Sequence, residues 1–307
     1  NDEVILSGFS PGGNSLVPDD QYVSASYAGQ VLAEGGLGAF DQVELQKALT
    51  GKIANAFGYI GELEEGIRGD ASPKDLETMF QLAYLTCTAP RADASAFEAW
   101  KTRTKGSLEN RLARPETVFS DKMTVTMSQG HFRRRPVSVG MIDEIDLKQA
   151  ESTWKERFAD AGDFTFVGAG PIQLHEIRPL VLTYLGGLPA AGRKESWKDV
   201  GVRPPPGVEK VERRKGIEPK SQVRMVFTGE TKWTRSESHL MRALGQALRI
   251  RLREVLREDK GGVYGVGAGG GISRRPTERY SFSVSFGCAP ERVAELQKAV
   301  FEVIDAA

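Results

Sequence analysis

The chain is poor in the residues that build metal centres and covalent frameworks. Its 307 residues include two cysteines and three histidines. Two cysteines, Cys87 and Cys288, are too few for a disulfide framework or for a structural zinc site with four ligands. They are expected as buried thiols. Whether they pair with each other is left open, and they do not fix the redox compartment. His131, His175 and His239 lie far apart in the sequence. None stands in a His-x-x-x-His or His-x-x-Glu-His unit, the spacing that brings two imidazoles to one ion, so no metal site is expected. An excess of one charge is also missing: 41 Lys and Arg balance 41 Asp and Glu. That argues against a dedicated nucleic-acid binder, which carries a basic excess or face. No apolar run approaches the roughly 18–20 residues of a membrane helix, so no membrane span is expected.

What is present describes a globular protein. Hydrophobic residues make up 40% and charged residues 27%, and the length suffices for one large or two medium domains with a substantial core. Glycine is over-represented, with 34 residues against a usual share of about 7%. The excess is clustered and not periodic, so it marks turns and close backbone contacts. The sequence opens without Met at Asn1-Asp2-Glu3, directly into a strand-like run. It closes at Phe301–Ala307 in a helical pattern without a Gly or Pro stop. We expect it to be part of a longer protein, and no signal peptide is visible at its start.

Along the chain, Val4–Phe9 reads as a strand ending in the turn Ser10-Pro11-Gly12-Gly13. Helices are expected over 20–34, stopped by Gly35-Gly36, and over 41–49, with Gly51 beyond. A hairpin follows over 56–68. Ser72-Pro73-Lys74-Asp75 reads as a helix start capped by Ser72, with Leu76, Met79, Phe80 and Ala83 as its apolar stripe. Further helices are expected over 94–112, over 143–159 with Asp143 as cap, and over 172–185 after a strand at Asp163–Gly168. The segment 189–207 ends in Pro204-Pro205-Pro206-Gly207, which suits neither a helix nor a central strand. It is read as a linker between a first domain over 1–188 and a second over 208–307.

The second domain opens with a strand over 222–228 and a long helix over 235–258. The buried face of that helix is expected to be Leu240, Leu244, Leu248, Leu252 and Val255/Leu256; Arg249, Arg253 and Arg257 lie on another face. Gly261-Gly262 ends it. Strands over 263–268 and 279–286 form a hairpin, and Pro290-Glu291 opens a last helix. The two halves thus share an order of strand, long helix, di-glycine and further strands. This weak repeat suggests two related α+β domains, and the order is too mixed for a doubly wound parallel sheet.

Gly265-Val266-Gly267-Ala268-Gly269-Gly270 fits G-x-G-x-x-G in letters. Dinucleotide binding needs a helix N-terminus after that turn, and here Ser273-Arg274-Arg275-Pro276 and a strand follow. Gly168-Ala169-Gly170 has better context, but Gln173 holds the third glycine position and Pro171 removes an amide. Arg133-Arg134-Arg135 reads as a solvated basic loop, and His175-Glu176 as an exposed pair. There is no G-x-S-x-G elbow, and Cys87 has no neighbour that marks a nucleophile. From the residues alone the chain carries no catalytic set.

Several segments together resemble the insulinase/pitrilysin family of zinc metallopeptidases, in its bacterial periplasmic form. They are Leu6–Gly13, Asp75–Leu82, Asp163–Gly168, Tyr184–Pro189, Arg251–Glu258 and Phe286–Glu291. They stand in the family's order and reach over nearly the whole chain. The resemblance implies a half-clamshell of two similar α+β domains, with mostly antiparallel sheets packed by helices. In that family one half carries the inverted zinc motif His-x-x-Glu-His, and the other lacks it. This chain resembles the second kind, because the helix from Tyr22 to Glu34, in the place of the zinc helix, has no histidine.

Zinc would then belong to the catalytic half of the same protein, or to a partner subunit, and the substrate would be an extended peptide. The resemblance carries over one pair of substrate contacts, Arg257 and Tyr264. A guanidinium and a phenol can hold a peptide carbonyl and steady a developing oxyanion. Water activated by zinc and a Glu base would be the chemistry of the intact enzyme, and the location implied is the periplasm. The alternative is a catalytically inert structural or peptide-binding module, as in family members that serve as scaffolds.

Overall fold

The computed structural model describes residues 2–263 and 265–307. They fall into two compact units. The first comprises residues up to Ala113 together with His131–Val202, and the second Arg114–Gly130 together with Arg203–Ala307.

The first unit begins with β1 (Val4–Pro11), α1 (Tyr22–Gly35), α2 (Gln42–Ala48), β2 (Ala54–Ile60), β3 (Glu64–Ala71), α3 (Leu76–Thr88) and α4 (Ala94–Leu112). After α5 (Pro115–Met127), which groups with the second unit, come α6 (Val139–Asp143), α7 (Leu147–Arg157), β4 (Thr165–Ala169) and α8 (Leu174–Leu180). The sheet order is β2-β3-β1-β4, antiparallel throughout. The apolar stripe of α3 is buried as its spacing predicts, with Met79, Phe80 and Ala83 fully enclosed. Trp154 of α7 lies over Gly29 of α1 and Gly58 of β2, where any Cβ would crowd its ring, and its indole N–H donates to the Thr86 carbonyl at 2.9 Å. Small residues on α1 and β2 therefore decide how closely α7 can approach.

Three local expectations are corrected. Asp143 does not cap a helix: it ends α6 and pairs with Lys105 and Lys101. The cap of α7 is Asp146, whose carboxylate accepts from the Gln149 amide at 2.7 Å. The two aspartates are three positions apart, and only the later one leaves its side chain facing the exposed amides of the first turn. Ser72 accepts no backbone amide. Its hydroxyl donates to Asp75 (2.8 Å), and Asp75 in turn accepts from the Ile53 amide (2.9 Å). The run Arg133–Arg135 is not a solvated loop. Arg133 donates to the carbonyls of Asn14 and Val17 and to Asp19, and lies over the Tyr22 ring. Arg134 pairs with Glu62, and Arg135 with Glu144. Arg133 and Arg134 find acceptors from distant parts of the chain and Arg135 one nine positions on, which local composition does not reveal.

The second unit contains β5 (Ser221–Glu230), α9 (Arg235–Arg253), β6 (Val266–Ser273), β7 (Arg279–Cys288) and α10 (Val293–Asp305). Its sheet order is β5-β7-β6, again antiparallel. The core joins Leu248, Leu252 and Leu256 to Phe282, Val284 and Phe286 of β7 and to Leu296, Val300 and Val303 of α10. The expected buried stripe of α9 is corrected in its first half: Leu240 and Leu244 are exposed, at 59% and 44%. The α9 backbone approaches β6 at Gly245, where a Cβ would stand 3.0 Å from the Gly269 Cα. The helix therefore seats itself by glycine contact there, and leucines take over only toward its C-terminal end. The G-x-G-x-x-G run lies largely in β6, where its residues pair with β7. It forms no phosphate-binding turn.

The proline-rich stretch from Pro189 to Lys220 has neither helix nor strand. Its first part is tied to the first unit by Arg193 N–H to Asp160 (2.5 Å), Lys198 N–H to Ser15 (2.9 Å) and His131 to the Val200 carbonyl (2.9 Å). Cys87 and Cys288 are both buried and unpaired.

Candidate functional site

Arg257 sits where α9 loosens. Beyond Arg253 the helix continues as a π-helical segment, Glu254–Asp259, closed by Lys260 N–H to the Val255 carbonyl at 3.1 Å. Such segments are rare and concentrate at functional sites, because the wider turn re-aims side chains. Leu256 on the same segment is fully buried and fixes it to the core, whereas Arg257 is exposed. Among the described residues Arg257 has no ion-pair or hydrogen-bond partner. The end of the helix is satisfied by another group: Arg292, just before α10, donates to the Lys260 carbonyl at 3.1 Å, and Lys260 and Arg292 share Glu295. Gly261, at φ 57°, and Gly262 then turn the chain toward β6. A Cβ at Gly262 would stand 2.9 Å from the Leu296 side chain and 3.0 Å from the Arg292 guanidinium. The turn is thus clamped, and among the described residues Arg257 has no part in holding it. Tyr264, the second residue of the expected pair, lies outside the described residues.

The helix that would hold zinc is packed for another purpose. Of His, Cys, Asp and Glu, α1 carries only Glu34, which pairs with Arg103 at 2.6 Å. Ser24 accepts the Asp146 amide and Tyr22 donates to the Arg133 carbonyl. Among the described residues no group of three or more His, Cys, Asp or Glu side chains converges as a metal site. The described residues of α1 thus offer no imidazole or thiolate for a zinc ion.

One buried polar cluster escaped the sequence reading. Glu65 of β3 is enclosed and accepts the Gly13 amide at 2.6 Å. Burial pushes its carboxyl up to about 7, against the lowering effects of that amide and of Arg157. Arg157 at the end of α7 is also enclosed and pairs with Glu195 (2.9 Å) and Glu156. It stands 3.9 Å from Glu65. Burial opposes the charge of Arg157, but these carboxylates raise its pKa above the ordinary value. The cluster joins sheet, helix and the 189–202 stretch within the first unit. Alternation from the buried Ile67 would have placed Glu65 on the core side.

Residues 144–307 match the family described as the peptidase M16 inactive domain. A protein of Arabidopsis thaliana named "Zinc protease PQQL-like" is 25% identical over 99% of this chain and 31% of its own length. A "Probable zinc protease PqqL" of Haemophilus influenzae is 21% identical over 99% of this chain and 32% of its own. The crystal structure of the periplasmic protease PqqL from Escherichia coli shares the fold with a TM-score of 0.84 at 19% identity, over 100% of this chain and 34% of that one. The chain thus spans about a third of the length of these relatives. Among the described residues no helix is long and apolar enough to cross a membrane.

Proposed function

The chain belongs to the peptidase M16 inactive-domain family, and from that premise we propose that it is the half of a zinc endopeptidase that lacks the metal and holds the substrate. The observation that carries this reading is Arg257: an exposed guanidinium on a π-helical segment whose surroundings are clamped by Arg292 and Glu295. A side chain left free beside a rigid frame can be spent on a substrate carbonyl, where it donates to the oxygen as negative charge develops. Tyr264, close by in sequence, would supply a second donor. The order of roles is bind, orient, then stabilise charge. Metal-dependent steps would fall to the catalytic half, because α1 carries no histidine or cysteine and its one carboxylate, Glu34, is paired with Arg103.

The relatives' names support a zinc protease as the parent, with the ion held by a catalytic half of the same protein or by a partner subunit. The Escherichia coli relative's description supports a periplasmic setting. An extended peptide would gain main-chain hydrogen bonds by lying along an open sheet edge, such as that of β6.

The test is peptide hydrolysis by the intact parent, by this chain alone, and by the parent carrying Arg257→Ala. We expect activity in the parent only, cut at least about tenfold by the substitution. Hydrolysis by the isolated chain, or an inactive zinc-loaded parent, would remove the reading; the second result would point to a structural module.

A further inference from the structure

All but one of the arginines of α9 fall on one continuous line, Arg251 being the exception. Arg235, His239, Arg242, Gln246, Arg249 and Arg253 follow one another at alternate steps of four and three residues, which keeps them on a single face of an α-helix. Arg257 continues the series in the π-helical segment. All seven side chains are exposed, and none of the five arginines is recorded in an ion pair with a described residue. The helix's carboxylates lie elsewhere: Glu237 is off the line in the first turn, and Glu254 is paired with Arg251. Glu258 and Asp259 follow Arg257, so the net positive stretch runs from Arg235 to Arg253. In a chain of zero formal charge, this face gathers cations without compensation.

The line borders an open sheet edge. The helix packs against β6 through Gly245 and Gly269, and the order β5-β7-β6 leaves one side of β6 unpaired. At the N-terminal end of α9 the two elements enclose a cleft of about 470 Å³. Trp233, Arg235, His239 and Arg242 line one side, and Gly270 to Ile272 of β6 the other. Arg274 lies over the Trp233 ring at 5.2 Å. By helix rise the line from Arg235 to Arg253 is roughly 27 Å long, matched by about eight residues of extended chain.

We propose that this arginine line and the neighbouring β6 edge form a docking track for an acidic, extended polypeptide, which runs from the cleft at Trp233 toward Arg257. It rests on the reading of Arg257 as a substrate contact and names the class of substrate. A polypeptide fits better than a nucleic acid. The sheet edge offers amides and carbonyls for a peptide backbone, and no aromatic residue stands on the helix line to stack bases.

The experiment uses the intact parent and three fluorescein-labelled probes: a peptide of about twelve residues with alternating Glu, the same peptide with Gln for Glu, and a single-stranded oligodeoxythymidine of equal charge. Binding is read by anisotropy at low and high salt, and cleavage by mass spectrometry. Several weak exposed ion pairs together predict about a tenfold preference for the Glu peptide at low salt, lost at high salt. The double variant Arg242→Gln, Arg249→Gln should bring the two peptides close to equal affinity. The control Arg103→Gln should leave the preference intact. Equal binding of both peptides, a preference that survives the double variant, or an oligonucleotide bound as tightly as the Glu peptide would each overturn the track. Equal cleavage of both peptides would leave the protease reading standing without the track. A Glu peptide held and never cut would do the reverse.

Discussion

Arg292 donates to the carbonyl oxygen of Lys260 at 3.1 Å. A guanidinium from the turn before α10 thereby closes the π-helical segment that follows α9, a task that Arg257, three positions before Lys260, could otherwise have performed. The consequence is a division of labour between two arginines: one holds the turn and the other is exposed.

That division predicts different outcomes for two substitutions. Arg292→Ala should lower thermal stability, because it removes both the carbonyl contact and the pairs to Glu295. Arg257→Ala should leave the melting temperature nearly unchanged and reduce peptide turnover by the parent. Tyr264→Phe should also reduce turnover, by at least about tenfold. Unchanged kinetics in both would refute the role given to the pair. Melting curves and kcat/KM on a quenched fluorogenic peptide separate the cases.

Zinc should not accompany this chain. After exposure to a slight excess of zinc and desalting, elemental mass spectrometry of the 307-residue polypeptide should find far less than one ion per chain. One tightly held ion would mean that dispersed ligands such as His131, His175 or His239 converge.

Glu65 makes stability depend on pH. Its carboxyl holds a proton up to about pH 7 in the folded chain, whereas an unfolded glutamate releases it near 4.5. Between those values the native state binds more protons than the unfolded one, so this contribution falls as pH rises. Glu65→Gln keeps an acceptor for the Gly13 amide and cannot ionise. Its melting temperature should therefore gain on that of the parent sequence from pH 5 to pH 8. A constant difference across that range would show that Glu65 does not titrate there.

The half-buried stripe of α9 predicts a contrast along one helix. Leu252→Ala, at a site with no exposure, should cost about 2–5 kcal/mol. Leu240→Ala, 59% exposed, should stay within roughly 0.5 kcal/mol. Similar losses for both, by urea denaturation, would contradict the packing described.

Asp146→Ala should cost about 1 kcal/mol as a lost helix cap, and Asp143→Ala should shift the unfolding midpoint less. The reverse order would restore the cap to Asp143.

The sequence by itself determined most of the local elements, although it left α5 and α6 unread. Apolar spacing and glycine stops placed α1, α3, α4, β1 and the hairpins close to their observed limits, because helix and strand periods are properties of neighbours in the chain. The family was legible from short segments in a fixed order, and the absence of histidine from Tyr22 to Glu34 marked the half without the zinc motif. Only the tertiary structure decided which groups are buried and which are free. The Arg133–Arg135 run reads as solvated until Asn14, Val17, Glu62 and Glu144 are brought to it. Leu240 and Leu244 read as core until Gly245 meets Gly269 and the helix leaves them outside. Glu65 and Arg157 are 92 residues apart in sequence and share one enclosed cluster. Whether a charge is solvated or paired depends on contacts between distant residues, and such contacts have no signature in local composition.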